Sequence, residues 1–365
     1  MQNDHLCACS FGGSVVSLKQ RMRHSGREAG PQKLVWNIKE VLFVKHFISR
    51  RNFLKAAGVT AAASAMAAVP QASAGFLTGK DAAVTILYTN DVHTYIDNKS
   101  PKLTYAAIAA MKQGYVDEGK PVLLVDAGDH IQGTAYGSMD DGATIIELMN
   151  EAGYDIATLG NHEFDYGMAR AKAIIKEADF PYVSCNWVDL RTGLRVLPAV
   201  KLFPAGGKWI AFVGITTPES FTKSTPAYFM NAKQTKYIYD ILGGDDGRKL
   251  YDAVQKAIDK AKTLGADIII GLGHLGVDPS SSPWTSEEVI ANTTGFDAFI
   301  DGHSHSTFSE TIKDKSGKEV VFEQTGTKLA NVGKIIIKAD GTITHENVDL
   351  NTVEPDAEAA AHIQT

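Results

Sequence analysis

The sequence predicts an α/β domain built as a layered sandwich, and two patterns support this fold class. Between residues 84 and 300, short apolar runs rich in β-branched residues alternate with segments of helical pattern. Near-continuous apolar strands separated by helices are typical of strands buried on both faces. From residue 319 onward the pattern changes to strands joined by turns, which indicates a second sheet that closes the domain.

The individual elements follow from these patterns in chain order. Strands are predicted at residues 84–89, 122–126, 156–159, 182–185, 210–215, 268–272 and 298–300. Helices are predicted near residues 102–118, 142–152, 167–178, 248–264 and 284–292. The tail adds predicted strands at residues 319–325, 333–338 and 342–350. Segment 217–247 is predicted to be a long loop, whose aromatic residues could stack on a base or pack over the sheet.

Residues 49–74 have the three-part pattern of a secretory signal. Arg50 and Arg51 resemble the paired arginines of the twin-arginine export motif. An apolar run of 14 residues follows from 56 to 69, and Ala72-Ser73-Ala74 supplies small residues for cleavage. Because this run is shorter than an ordinary membrane span, we expect export to the periplasm or another extracytoplasmic compartment, with no stable membrane anchor after cleavage. The alternative is an amphipathic helix or a short membrane anchor.

Residues 1–48 would then be an atypical N-terminal extension, because so many residues rarely precede a signal peptide. A misplaced start codon is one explanation, and Met22 is an internal alternative. Cys7 and Cys9 fall in this extension, so Cys185 is the remaining cysteine after cleavage. We therefore expect no internal disulfide in the mature chain.

The charge balance argues against a nucleic acid polymer as a partner. Residues 1–55 contain 10 Lys+Arg and 3 Asp+Glu, and the whole chain carries a net charge of −6, so residues 56–365 carry −13. Binding a long polyanion needs a positive surface. A small phosphate needs only local neutralisation, which bound cations can supply.

Polar side chains that can bind metal follow five of the predicted strands, each where the strand ends. These ends are Asn90-Asp91-Val92-His93, Gly128-Asp129, Gly160-Asn161, Gly273-His274 and Gly302-His303-Ser304-His305. Ligands of open α/β sheets bind at the carboxyl ends of strands, so the five ends can converge on one point. Imidazole together with carboxylate suits zinc, manganese, cobalt or a similar divalent ion. Three carboxylate or amide groups and four histidines suffice for two such ions that share one carboxylate.

Neighbouring polar residues are expected to have supporting or ordinary roles. Asp126 could bind metal, but Asp129 follows the glycine turn and is the better bridge between two ions. Asp301 is expected to orient its neighbours. His130 and His345 are expected to be exposed or turn residues.

Taken in order, these motifs resemble those of the calcineurin-like metallophosphoesterases, and more narrowly those of the bacterial 5′-nucleotidase and UDP-sugar hydrolase family. The resemblance covers residues 82–350 and includes Gly160-Asn161-His162-Glu163-Phe164-Asp165-Tyr166-Gly167. It implies a four-layer α-β-β-α sandwich at residues 75–350 and a site for two divalent metal ions. The residues that match the ligands of one ion are Asp91, His93, Asp129 and His305. Those that match the ligands of the other ion are Asp129, Asn161, His274 and His303. His162 and Asp165 match the catalytic pair of the family.

The resemblance also implies a reaction, namely hydrolysis of phosphate esters by a hydroxide that bridges the two metal ions. The expected substrate is a nucleoside 5′-phosphate or another small phosphate ester. Residues 351–365 resemble the start of a linker to a C-terminal nucleotide-binding domain that the sequence lacks, so the chain is either a fragment or a catalytic domain that acts alone. Two other hypotheses stay open: a thiosulfohydrolase-like enzyme of sulfur oxidation on the same scaffold, and an inactive fragment that binds metal or nucleotide without turnover.

Overall fold

The computed structural model describes residues 82–96 and 104–348, so the N-terminal extension, the signal segment and the expected linker lie outside the described residues. The strands are β1 (Val84–Thr89), β2 (Val122–Asp126), β3 (Ile156–Ala157), β4 (Trp187–Asp189), β5 (Leu194–Arg195), β6 (Val200–Ala205), β7 (Lys208–Thr216), β8 (Tyr239–Ile241), β9 (Ile268–His274), β10 (Ala298–Ile300), β11 (Thr307–Lys313), β12 (Glu319–Thr325), β13 (Val332–Ile337) and β14 (Ile343–Val348). The helices are α1 (Tyr105–Asp117), α2 (Ala135–Ser138), α3 (Ala143–Ala152), α4 (Met168–Glu177), α5 (Ser220–Lys223), α6 (Arg248–Thr263) and α7 (Ser286–Asn292). In the described part of the chain, every helix is too short or too polar to span a bilayer.

Most of these strands belong to two large sheets. The first has the order β14-β13-β1-β2-β3, and the second has the order β11-β12-β10-β9-β7-β6. β1, β2 and β3 are parallel to one another, and so are β7, β9, β10 and β12. Parallel strands end at the same edge of a sheet. The loops after β1, β2 and β3 therefore leave one edge of the first sheet, and those after β9 and β10 leave one edge of the second.

The two sheets pack face to face through an apolar core. Val84, Ile86 and Tyr88 of β1 share this core with Ile270 and Leu272 of β9, and all five are fully buried. Alternate residues of a strand lie on the same face, which explains the spacing along both strands. Burying an aliphatic side chain of this size contributes ~1.5–3 kcal/mol to the stability of the fold. The core therefore holds the strand ends, and the loops that follow them, in fixed positions.

Helices cover the outer face of the first sheet. Leu87 of β1 and Leu124 of β2 point away from the inter-sheet core and pack with Ile108 of α1 and with Ile146 and Met149 of α3. Both faces of these strands are therefore buried, which accounts for their nearly continuous apolar sequence.

Helices also cover the outer face of the second sheet. α6 buries a stripe of residues spaced three or four apart, Leu250, Val254, Ala257, Ile258 and Ala261. The stripe packs in one cluster with residues of β7, β9 and β10 and with α7. The order of layers is helix, sheet, sheet, helix, which confirms the predicted fold class.

Two predictions about strands were wrong. The tail strands do not form a sheet of their own, because β12 lies between β11 and β10 in the second sheet whereas β13 lies beside β1 in the first. Residues 182–185 form no strand. Tyr182 makes an isolated bridge to Ala157, but the amides of Ser184 and Cys185 turn away and donate to the carbonyls of Pro198 and Gly214. Segment 217–247 is also not a plain loop, since it contains α5, a 3₁₀ turn at Pro226–Phe229 and β8.

Candidate metal centre

The structure brings the predicted metal ligands together at the edge where the two sheets meet. Asp91 and His93 follow β1, Asp129 follows β2 and Asn161 follows β3, all in the first sheet. His274 ends β9, and His303 and His305 follow β10 in the second. Three groups of side chains bring one ligand atom per residue within 4.8 Å of one another: Asp91 with His93 and His305, Asp129 with His274 and His303, and Asp129 with His93 and His162.

The two oxygens of Asp91 have different surroundings. Oδ2 accepts hydrogen bonds from Asn90 Nδ2 at 2.7 Å and from the His303 amide at 2.9 Å. Oδ1 also accepts from the His303 amide, at 3.1 Å, but it lies 3.4 Å from His305 Nε2 and 3.9 Å from His93 Nε2. The amide holds both oxygens in place, and Oδ1 is the oxygen directed at candidate ligands.

Asp129 divides its oxygens in the same way. Oδ1 accepts a hydrogen bond from the His162 amide at 2.8 Å. Oδ2 lies 3.1 Å from His274 Nε2 and 3.9 Å from His93 Nε2, which belong to different groups of candidate ligands. This oxygen thus lies where a carboxylate shared by two cations would have to be.

Some buried polar atoms at this site lack a well-formed hydrogen bond. Within the described residues, Asn161 Oδ1 is buried without a hydrogen bond, and His274 Nε2 is buried without a well-formed one although Asp129 Oδ2 lies at 3.1 Å; a buried polar atom usually has a partner. His93 Nε2 and His305 Nε2 lie 3.0 Å apart, a hydrogen-bond distance at which one ring donates and the other accepts. Backbone carbonyls hold the other nitrogens: His274 Nδ1 donates to Ala127 at 2.7 Å and His93 Nδ1 to Gln132 at 3.0 Å. Nε2 of both rings is left as a metal ligand, so this donor set fits divalent cations.

The charges of these groups are strongly linked. Burial lowers the pKa of His274, but the Asp129 and Asp91 carboxylates outweigh burial and raise that pKa to about 10. Burial opposes ionisation of Asp129, yet His274, His162 and His93 hold its pKa well below the usual value. The carboxylate is therefore ionised at neutral pH, as a metal ligand must be.

The backbone that carries these residues is strained. Asp91, His93, Asp129, His303 and His305 all have positive φ, between 49° and 80°, a region that non-glycine residues seldom occupy. Such conformations persist where the surrounding structure enforces them, and they cluster at functional sites. Gly160 allows the close approach, because a Cβ there would lie 2.1 Å from Asp129 Oδ1.

His162 belongs to the third of these groups and is paired with Asp165. His162 Nδ1 bonds Asp165 Oδ2 at 2.5 Å, and His162 Nε2 lies 4.0 Å from Asp129 Oδ2. Burial lowers the pKa of His162, but the hydrogen bond to Asp165 and the charge of Asp129 raise it to about 9. The ring is about a quarter exposed, so its Nε2 can meet a molecule that enters the site.

The prediction for His130 was wrong. It is fully buried, with Nδ1 2.8 Å from Asp126 Oδ1 and Nε2 2.8 Å from the Tyr182 hydroxyl. Asp126 also accepts from the Thr89 hydroxyl at 2.7 Å, so its oxygens are used in this network and not at the metal groups. Asp301 orients its neighbours as expected, since it accepts the Leu275 amide at 3.0 Å.

Two supporting carboxylates were not foreseen. Glu163 is fully buried and accepts the amides of Asp129 at 2.8 Å, His130 at 2.9 Å and Gly160 at 2.6 Å. It therefore ties the loop after β2 to the loop after β3. Glu219, from segment 217–247, accepts from His303 Nε2 at 2.7 Å. Glu163 lies within the quoted motif, whereas no local pattern singles out Glu219.

Comparisons with known proteins agree with this geometry. Residues 84–307 match the model of the calcineurin-like phosphoesterase family. Residues 48–67 match the signal sequence of the twin-arginine translocation pathway, which directs export to an extracytoplasmic compartment.

Curated relatives are similar over the same region. Human 5′-nucleotidase is 33% identical over 242 residues, which cover 61% of this chain and 38% of that protein. The trifunctional nucleotide phosphoesterase YfkN of Bacillus subtilis is 30% identical over 256 residues, covering 62% of this chain and 17% of that protein. The chain thus spans less than two fifths of the length of these relatives.

Solved structures share the fold. A 5′-nucleotidase precursor from Thermus thermophilus superposes with a TM-score of 0.64 at 24% identity, covering 77% of this chain and 58% of that one. The sulfate thiohydrolase SoxB of a Thermus species superposes with a TM-score of 0.61 at 17% identity, covering 78% of this chain and 60% of that one. At these identities the likeness concerns the fold alone.

Proposed function

Because the chain belongs to the calcineurin-like phosphoesterase family, we propose that it hydrolyses phosphate esters, most specifically nucleoside 5′-phosphates, with the help of two divalent metal ions. The observation that carries the proposal is the position of Asp129 Oδ2, which lies 3.1 Å from His274 Nε2 of one ligand group and 3.9 Å from His93 Nε2 of the other. Two neighbouring cations need a shared ligand, and a carboxylate between two imidazole groups can serve as one.

The proposed ligands divide into two sets that share Asp129. One ion would be held by Asp91, His93, Asp129 and His305. The other would be held by Asp129, Asn161, His274 and His303. The buried Asn161 Oδ1 and His274 Nε2, without a well-formed hydrogen bond, both fall in the second set, which supports that assignment. When bound, the two cations would supply Lewis-acid activation of water and neutralise the charge of the phosphoryl group.

His162 would act directly on the substrate. Its Nε2 faces the same space as Asp129 Oδ2, and Asp165 fixes the ring by holding Nδ1. Because the Asp165 carboxylate lies 2.5 Å from its Nδ1, His162 favours the protonated form of the ring, in which Nε2 also carries a hydrogen. It can therefore donate a hydrogen bond to a phosphoryl oxygen, or pass the proton to the departing alkoxide, while Asp165 stabilises the charged ring.

The proposed substrate class is supported by the curated relatives and by one exposed aromatic side chain. The curated relatives at 30% identity or more are named as nucleotidases or nucleotide phosphoesterases, whereas SoxB resembles this chain at 17% identity, in fold alone. Tyr228, about a third exposed, lies 3.7 Å from where a Cβ of Gly167 would be, close in sequence to Asp165. An exposed aromatic ring near the catalytic pair is suited to stack on a base. We further propose that the exported protein acts in the periplasm.

The proposal is tested with purified protein loaded with Mn²⁺, on AMP, ATP, UDP-glucose, a cyclic nucleotide, p-nitrophenyl phosphate and a cysteine S-thiosulfonate. Phosphate release that depends on Mn²⁺, fastest on a nucleoside 5′-phosphate, is the expected result. Sulfate release from the thiosulfonate without phosphate release would favour the alternative enzyme. Absence of any turnover from a sample that contains two ions per chain would favour the inactive fragment.

A further inference from the structure

The proposed metal ligands differ in which imidazole nitrogen the protein holds. In His93 and His274, Nδ1 faces a backbone carbonyl, of Gln132 at 3.0 Å and of Ala127 at 2.7 Å. A carbonyl can only accept, so Nδ1 carries a hydrogen, and Nε2 is the nitrogen whose lone pair can face a cation when the ring is neutral. Both rings therefore offer Nε2 to a cation.

His303 has the opposite arrangement. Its Nε2 lies 2.7 Å from Glu219 Oε2, and the same oxygen accepts from the Ser281 hydroxyl at 2.6 Å. The side chains of His303 and Glu219 are only 9% and 11% exposed. Because the carboxylate accepts the Nε2 hydrogen, Nδ1 is the nitrogen left with a lone pair in the neutral ring, and His303 shares a ligand group with Asp129 and His274.

The two ligand sets differ in negative charge, and Glu219 lies beside the set that has less of it. The first set contains two carboxylates, Asp91 and Asp129. The second set has Asn161 in place of a second carboxylate, so it contributes only the shared Asp129. Glu219 would supply the missing negative charge without binding the metal ion itself, because it bonds the imidazole of His303.

We propose that Glu219 is a positioning residue that orients His303 with Nδ1 toward the second metal ion and sets the affinity of that ion through its charge. This inference rests on the proposed function, because it takes the second metal set as given. A carboxylate bonded to a metal-binding imidazole fixes its tautomer and makes it a stronger donor, and loss of such a partner typically weakens metal binding by about 10–100-fold.

The local backbone does not depend on the Glu219 side chain. The Glu219 amide donates to the Thr217 hydroxyl at 3.2 Å, and its carbonyl accepts the Lys223 amide at 2.7 Å in the turn that starts α5. Substitutions of the side chain should therefore leave segment 217–247 folded, so they test the contacts of the carboxylate, to His303 and to Ser281.

The test is equilibrium dialysis of the apo protein against Mn²⁺, with the bound metal counted for wild type, Glu219→Ala, Glu219→Gln and the control Glu310→Gln. Glu310 is an exposed residue of β11, so its change removes one negative charge away from the site. We expect two ions in wild type and in the control. Glu219→Ala should weaken the binding of one of the two ions by about 10–100-fold. Glu219→Gln should weaken it less, because its amide oxygen can still accept from Nε2.

The outcomes separate this inference from the proposed function. If wild type binds two ions and both Glu219 variants bind them with unchanged affinity, the inference is wrong and the proposed function stands. If wild type binds no metal, the proposed function fails and the inference fails with it. Circular dichroism checks folding, and should Glu219→Ala not fold, Glu219→Gln alone decides.

Discussion

At the residue scale, His162 is the side chain with the most direct proposed role. We expect His162→Ala to lower kcat by about 10²–10³-fold, since a positioned donor to a developing charge is typically worth that much. The ring is absent from both proposed ligand sets, so two metal ions should still bind. Steady-state kinetics and metal analysis of one sample check both parts, and loss of metal from the variant would contradict the role given to His162.

Glu163 has a structural role that is just as specific. Its carboxylate accepts the buried amides of Asp129, His130 and Gly160, and more distantly that of Ile131 at 3.4 Å. In Glu163→Gln, an NH₂ group would face at least one of these N–H donors and the charge would be lost. We expect the free energy of unfolding to fall by ~2–3 kcal/mol, because hydrogen bonds to a buried charged group are costly to lose. Urea unfolding of this variant and of Glu310→Gln measures the difference, and equal stability of the two would refute the role.

The candidate ligands could be found from sequence because each one follows a strand whose pattern is clear. Asp91, Asp129 and His274 have both the right chemistry and the right place, and parallel strands bring such places together. The contacts of Glu219 and His130 could not be found, because their partners lie far along the chain. Glu219 meets His303 at a separation of 84 residues, and His130 meets Tyr182 at a separation of 52.

At the element scale, strands buried on both faces were predicted well, and the two edge strands of the second sheet were not predicted. β1, β2, β10 and β12 have the predicted bounds. β6 and β11 lie at the two edges of the second sheet, and β11 is largely exposed, with the polar sequence Thr307-Phe308-Ser309-Glu310-Thr311-Ile312-Lys313. An edge strand is paired on one side only and needs no apolar run, so its pattern is weak.

The hairpin of β11 and β12 is held by Asp314. This carboxylate accepts the amides of Ser316 at 2.8 Å, Lys318 at 3.0 Å and Gly295 at 3.1 Å, the last from the segment after α7. Burial opposes ionisation, but these hydrogen bonds and that of the Ser316 hydroxyl lower the pKa of Asp314 below its usual value.

A pH dependence follows from the direction of this shift. A lowered pKa in the folded state gives stability that is present above the unfolded value of about 3.9 and is lost as pH falls through the folded value. The free energy of unfolding of wild type should exceed that of Asp314→Asn by about 1 kcal/mol at pH 7. This difference should shrink below pH ~4. Urea unfolding between pH 7 and 3, with Asp252→Asn on the exposed side of α6 as the control, checks this. A difference that grows as the pH falls would contradict it.

At the scale of the whole molecule, metal should couple the two sheets. The proposed ligands come from loops of both sheets, so a cation that binds the folded state alone adds to the stability of the entire domain. We expect Mn²⁺ at 100 times its dissociation constant to raise the free energy of unfolding by about 2.7 kcal/mol per ion, and chelation to reverse the effect. Thermal unfolding with and without chelator measures it. An unchanged melting temperature would show that the ligand atoms bind no metal in solution.

The order of the layers could be predicted because it follows from which faces of the strands are apolar. The partition of the tail strands could not, because β12 and β13 have similar sequence patterns although they join different sheets. That choice depends on contacts with β10 and β1, which are distant in sequence. Tertiary pairing, and not local pattern, decides it.

The central claim is that Asp129 bridges two divalent cations held by side chains from both sheets. Anomalous diffraction at the manganese edge, from crystals grown with Mn²⁺, tests this most directly. The account predicts two peaks about 3.5–4 Å apart, one on each side of the Asp129 carboxylate. A single peak, no peak, or two peaks away from Asp129 would contradict it.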